Sequence, residues 1–129
     1  MAKTKQFTIS IDNQPGAVAR IAKTLGDSKV NILALLGTAQ GTGGTVQLVA
    51  EDAKKAKKAL DAAHVSYQET PAEQHELPNK AGALAQCLAS LEKKGVNLSS
   101  IHATAAKGGK KAVVVYTAEG VSKAATATA

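Results

Sequence analysis

The stretch Asn13-Gln14-Pro15-Gly16-Ala17-Val18-Ala19-Arg20-Ile21, followed by Val30-Asn31-Ile32, decides the fold because it occurs twice. Sixty-six residues later the chain reads Asn79-Lys80-Ala81-Gly82-Ala83-Leu84-Ala85-Gln86-Cys87, followed by Val96-Asn97-Leu98. At that offset no gap is needed from Ile11 to Asp52, and 11 of the 42 aligned positions are identical. The identities include Leu25 with Leu91, Thr38-Ala39 with Thr104-Ala105, Gly43 with Gly109 and Val49 with Val115. The helical stripe Val18, Ile21, Ala22, Leu25 recurs as Leu84, Cys87, Leu88, Leu91. Self-similarity at one period is the mark of a duplicated unit. The chain therefore reads as two repeats, residues 1–70 and 71–129.

One copy can be read outward from this stretch. Phe7-Thr8-Ile9-Ser10-Ile11 alternates apolar and polar residues, the pattern of a half-buried strand. Asn13 and Pro15 then suit the cap and first turn of a helix reaching about Asp27. Val30 to Leu36 forms a second strand, and Gly41-Thr42-Gly43-Gly44 a hairpin turn. Thr45 to Val49 forms a third strand, and Glu51-Asp52 opens a second helix near its positive dipole end. Val65-Ser66-Tyr67-Gln68 is a short fourth strand. The order βαββαβ gives an α+β fold, a ferredoxin-like unit with an antiparallel sheet and both helices on one face. At the 66-residue offset Ala129 falls on Ala63, so the second repeat is expected to lack its last strand. The terminal Thr126-Ala127-Thr128-Ala129 is expected to fray.

The bulk composition agrees with this reading and excludes several functions. Hydrophobic residues make up 44% of the 129 but aromatics only 2%, so Ala, Val, Leu and Ile must fill thin helix-on-sheet cores. No apolar run approaches the ~18 residues needed to span a bilayer, and no apolar segment follows the charged start, so a cytoplasmic protein is expected. One cysteine, Cys87, suits a reducing compartment. The net charge of +6 invites a nucleic-acid reading. However, the densest basic group, Lys54-Lys55-Ala56-Lys57-Lys58, reads as the solvated face of a helix that buries Ala53, Ala56, Ala59 and Leu60. The glycine turns join strands, unlike a KH loop, and no phosphate-binding G-x-x-x-x-G-K-[ST] occurs. RNA-binding βαββαβ modules stack bases on strand aromatics, and here those strands offer only Phe7 and Tyr116.

The segment Asp12-Asn13-Gln14-Pro15-Gly16-Ala17-Val18-Ala19-Arg20-Ile21-Ala22, leading to Val30-Asn31-Ile32, resembles the ACT domain. That family's signature is a strand ending in D/N-x-P-G-x-L-x-x-[IL], a helix, then a V-N-I element opening the second strand. The second copy carries it too, with Ala81 in place of the usual Pro. The resemblance spans nearly the whole chain from Phe7 and implies a stand-alone tandem ACT protein. Such a protein would bind an amino acid between paired domains, as a dimer or other homo-oligomer, and control an enzyme without cofactor or catalysis of its own. In serine-sensing members an Asn two residues before the Pro and the Asn of V-N-I contact the ligand. These positions are Asn13 and Asn31 here, and Asn79 and Asn97 in copy two. A His four residues before the Pro is replaced by Ile11 and Leu77, which speaks against serine as the ligand.

Physical chemistry supports the same place. Free N–H groups at the helix start attract a carboxylate, and Gly16 admits a ligand close to the main chain. The candidate ligand-binding set is Asn13, Gln14, Pro15, Gly16, Ala17, Val18, Asn31 and Ile32, with Asn79, Gly82 and Asn97 in copy two. The structural alternative is that Asn13 caps the helix and Asn31 turns the chain into its strand. A second functional reading is a degenerate ACT scaffold acting only through protein–protein contacts. His64, His75 and His102 lack metal-ligand spacing, no nucleophile elbow occurs, and Cys87 falls on an apolar stripe, so neither metal nor catalytic residue is expected. Glu73 and His75 fall where copy one has Phe7 and Ile9. The strand there is expected to be irregular or solvent-facing, or else to carry a His–Glu pair serving a ligand.

Overall fold

The computed structural model describes residues 2–118. The expected end of the second repeat, including Thr126–Ala129, lies outside the described residues. Six strands and three helices follow in the order β1 (Ala2–Asp12), α1 (Ala17–Asp27), β2 (Ile32–Gln40), β3 (Gly43–Ala50), α2 (Ala53–Ala62), β4 (Gln68–Pro78), α3 (Ala83–Lys93), β5 (Leu98–Ala105) and β6 (Lys111–Ala118). The described residues form two compact units, one of residues 5–70 and one of residues 2–4 with 71–118.

In the first unit the strand order is β2-β3-β1-β4, with β4 contributing residues 68–70. Phe7 and Ile9 pair across to Leu48 and Val46, and paired residues share a face. That face packs on Ile21 and Leu25 of α1 and on Ala56 and Leu60 of α2, all of them buried. The lysines of α2 are exposed, as its apolar stripe requires, and Lys57 reaches Glu69 at 3.4 Å. Asp52 caps α2 by accepting from the Lys55 N–H at 3.1 Å. Tyr67 meets Phe7 edge-on and donates its hydroxyl to Asp61 at 2.8 Å, which pushes the phenol pKa up to about 12.

The second unit repeats this plan, with Leu91 of α3 packed on Val114, Tyr116 and Ala118 of β6. Its strand order is β1-β4-β6-β5, so residues 2–4 lie where a fourth strand of that repeat would stand.

Four details differ from the sequence reading. Residues 65–67 are not strand: the strand begins at Gln68 and continues unbroken to Pro78. The first hairpin turn is only Gly41-Thr42, since Gln40 already pairs with Gly43. The gap-free alignment also fails in the second hairpin. Leu77 pairs with Ala112 where Ile11 pairs with Gly44, so Lys107–Lys110 replaces a two-residue turn and β6 matches β3 at an offset of 68. Gly109 and Val115 are therefore not the counterparts of Gly43 and Val49. Finally, the strand carrying Glu73 and His75 is regular, pairing with β6 from Glu73 to Pro78, and Glu73 is 1% exposed rather than solvent-facing.

Candidate functional site

The loop between β1 and α1 is built the same way in both repeats. Gly16 and Gly82 precede their helices at φ 86° and 88°, a conformation glycine adopts without Cβ strain. The Gln14 N–H donates to the Asp12 carbonyl at 2.9 Å, and Lys80 to Pro78 at 3.0 Å. The geometry survives Ala81 standing where copy one has Pro15, so glycine rather than proline is what the turn needs. Neither helix has a side-chain cap. The backbone N–H groups of Val18 and Ala19, and of Leu84 and Ala85, have no hydrogen-bond partner among the described residues.

A cleft of about 210 Å³ opens beside this loop, lined by Ile11, Asp12, Asn13, Gln14, Ala17, Val18 and the end of β2 at Gly37, Thr38 and Ala39. A cleft of about 200 Å³ opens at the same place in the second unit. All nine positions of the first recur in the second at the 66-residue offset, from Leu77 through Ala105. The rims differ in charge, because Asp12 and Gln14 give way to Pro78 and Lys80. Of the candidate set, Asn13, Gln14, Ala17, Val18 and Asn79 line these clefts. Pro15, Gly16 and Gly82 shape the loop without lining it.

The asparagines prove to have structural partners. The Asn13 Nδ2 donates to the Gly41 carbonyl at 2.9 Å and its N–H to the Thr42 carbonyl at 2.8 Å. Asn79 likewise donates to Gly109 at 2.8 Å. Each asparagine clamps the adjacent hairpin instead of capping its helix, and the Asn13 Oδ1 remains open. Asn31 donates to the Glu51 carboxylate at 2.8 Å, fastening the entry of β2 to the start of α2. It stands at the opposite end of the strand from Thr38, roughly 20 Å away at ~3.3 Å per residue. Ile32 packs against the core, and Asn97 opens onto β5 as Asn31 does onto β2. Within one copy, Asn13 and Asn31 are not brought together.

The β2 and β5 contributions at Thr38 and Thr104 were missing from the sequence-derived set, although Thr38-Ala39 and Thr104-Ala105 are identical in the two copies. Periodicity shows which face a residue occupies, but not which loop it meets across the sheet.

No protein-family profile matches this chain, and none of the curated proteins does. Solved structures do. Protein BT0572 from Bacteroides thetaiotaomicron matches with a TM-score of 0.84 at 26% identity, over 97% of this chain and 85% of that one. The ligand-free regulatory subunit of aspartate kinase from Thermus thermophilus matches at 0.69 and 15% identity, over 98% and 91%. The regulatory subunit of aspartate kinase from Thermus flavus matches at 0.57 and 16%, over 98% and 90%. The fold is the tandem ACT fold. The duplicated cleft is a property of the repeated unit, since the residues lining each one come from a single repeat. Among the described residues, no group of three or more His, Cys, Asp or Glu side chains could hold a metal ion. Among them too, no helix is long and apolar enough to cross a membrane. Burial raises the Cys87 thiol pKa, the opposite of what a nucleophilic thiolate needs.

Proposed function

We propose that the chain is a regulatory protein without catalytic activity that binds an amino acid at the β1–α1 clefts of two repeats, residues 1–70 and 71–129. One observation carries this reading: the same nine positions build the same cleft twice, beside a helix start with unpaired N–H groups. Those N–H groups suit an α-carboxylate. The open Asn13 Oδ1 suits an α-ammonium. The likeness to regulatory subunits of aspartate kinase supports the same role, and an enzyme of amino-acid metabolism is the expected partner. The lone, half-buried cysteine supports a reducing, cytoplasmic setting.

Each cleft is smaller than the roughly 300–1,000 Å³ of complete small-molecule sites. A second copy supplies the remainder in this reading. β2 and β5 expose Leu35 at 38%, Leu36 at 44% and Ile101 at 38%, and β2 pairs within its unit only with β3. Antiparallel pairing of two β2 edges about a twofold axis carries Asn31 of a second copy to the Asn13 cleft. The separation of the two asparagines within one copy thereby becomes a reason for dimerisation.

A thermal-shift screen against the twenty amino acids tests the proposal. A ligand at 100 times its Kd stabilises by about 2.7 kcal/mol. Gly37→Phe projects a ring into the first cleft, where even a Cβ would stand 3.9 Å from Val18. Loss of the shift in Gly37→Phe and Ala103→Phe, with the unliganded melting temperature kept, is the expected result. A shift unchanged in both variants rejects the site. The absence of any amino-acid response would favour the scaffold reading, in which the exposed strand edges serve protein contacts alone.

A further inference from the structure

A second cleft in the first unit, of about 380 Å³, lies between α1 and the end of α2, and nothing in the reading above uses it. Its volume falls within the roughly 300–1,000 Å³ of small-molecule pockets, unlike the β1–α1 clefts. The floor is apolar, with Ile9 and Ile21 buried and Val65 half-buried. The rim carries Asp12, Arg20 and Thr24. Neither the Asp12 carboxylate nor the Arg20 guanidinium has a side-chain hydrogen bond or ion pair among the described residues. Arg20 is the only arginine among the chain's 16 basic residues. Lysine serves solubility equally well, whereas the planar guanidinium suits a carboxylate held by two parallel bonds. Its Nη1 lies 3.6 Å from where a Cβ on Gly16 would stand, so the side chain folds back along α1 toward the loop that carries Asp12.

The second repeat serves as an internal control. It keeps small residues at the matching positions of the helix, Ala83 and Ser90, but has Pro78 for Asp12 and Gln86 for Arg20. The fold is therefore built without either charge, and in the first repeat both stand exposed on the rim. We propose that this cleft is a second ligand site, carrying two charges that the second repeat lacks, for a small zwitterion with an apolar side chain, namely an α-amino acid such as leucine or valine. Arg20 takes the carboxylate, Asp12 the ammonium, and the isoleucine floor the side chain. The assignment stands whether or not the β1–α1 clefts are occupied.

Calorimetric titration of the full chain with leucine and valine tests it, alongside 3-methylbutylamine and 4-methylpentanoate, which each lack one charge. Asp12 borders both clefts, so the diagnostic variants are Arg20→Gln and Thr24→Trp, which touch this one alone. Leucine or valine should bind, each singly charged analogue should bind about tenfold more weakly or worse, and both variants should lose that binding class. Gly37→Phe should leave it intact. Wild-type titration by folded Arg20→Gln and Thr24→Trp overturns the proposal, as does failure of leucine and valine to bind. Equal binding of 4-methylpentanoate and leucine overturns the zwitterion assignment. If Gly37→Phe alone abolishes binding, the shared cleft stands and this one falls; if only the Arg20 and Thr24 variants do so, the reverse holds.

Discussion

Glu73 lies on the helix-facing side of β4, paired with Tyr116, and neither of its carboxylate oxygens has a hydrogen-bond partner among the described residues. The corresponding pair in the first unit is Phe7 with Leu48, so the aromatic ring has crossed to the neighbouring strand and a carboxyl group has taken its former place. Burying such a group unpartnered is costly. Glu73→Leu should therefore raise unfolding stability by roughly 1–3 kcal/mol in denaturant titration, and a destabilised variant would show that the carboxyl has a binding partner. His75 stacks flat on Tyr116 at 5.6 Å, and burial lowers the pKa of its imidazole, against the opposing pull of Glu73. Burial likewise lowers the His102 pKa. In both cases the unfolded chain takes up protons more readily than the folded one. The stability these groups contribute is complete above the unfolded value of about 6.5 and is lost as pH falls through the lowered folded values. Melting temperature should thus fall below about pH 6.5, and His75→Leu with His102→Leu should flatten that slope. A slope unchanged in the double variant would assign it to other groups.

The ends of the helices show how far a repeated element can drift while keeping its geometry. After α1 the chain turns through Lys29 at φ 60°, and Val30 donates back to the Leu25 carbonyl at 2.9 Å. After α3 the same turn uses Gly95 at φ 73°, with Val96 donating to Leu91 at 3.0 Å. Left-handed backbone is easy for glycine and strained for lysine. Lys29→Gly should stabilise the first unit by about 0.5–1 kcal/mol in chemical denaturation, part of the relief being offset by a freer unfolded chain. No gain would mean that the Lys29 side chain contributes more than its backbone costs. Helices and strand faces were legible in the sequence because apolar spacing fixes them. The two extra residues in the second hairpin were not, since an even shift leaves each side chain of β6 on its original face. The continuity of β4 was hidden because Pro71, Glu73 and His75 interrupt the apolar pattern of a strand that is nonetheless regular. The loop side of the cleft was legible through Asn13 and Val18. The strand side was not, because Asn31 shares the family pattern yet stands at the far end of β2.

At the scale of the whole molecule, the second unit depends on residues 2–4, which carry no periodic signal of their own. Deleting them should speed amide exchange across β4 residues 71–78 while leaving β3 protected. In the intact chain residues 72–77 should exchange as slowly as Phe7–Ile11. Fast exchange at 72–77 in the intact chain would show that β4 lacks the neighbour assigned to it.

That arrangement also has a consequence for synthesis. Residues 2–4 leave the ribosome roughly 3.5 to 15 seconds before the strand they must join, at ordinary rates of about 5–20 residues per second. During that interval the first unit can close around Phe7 while the segment just ahead of it waits with its backbone unpaired. An unpaired extended segment can be captured by another chain. The nascent protein thus carries a short-lived adhesive segment, which is lost when the second unit folds onto it.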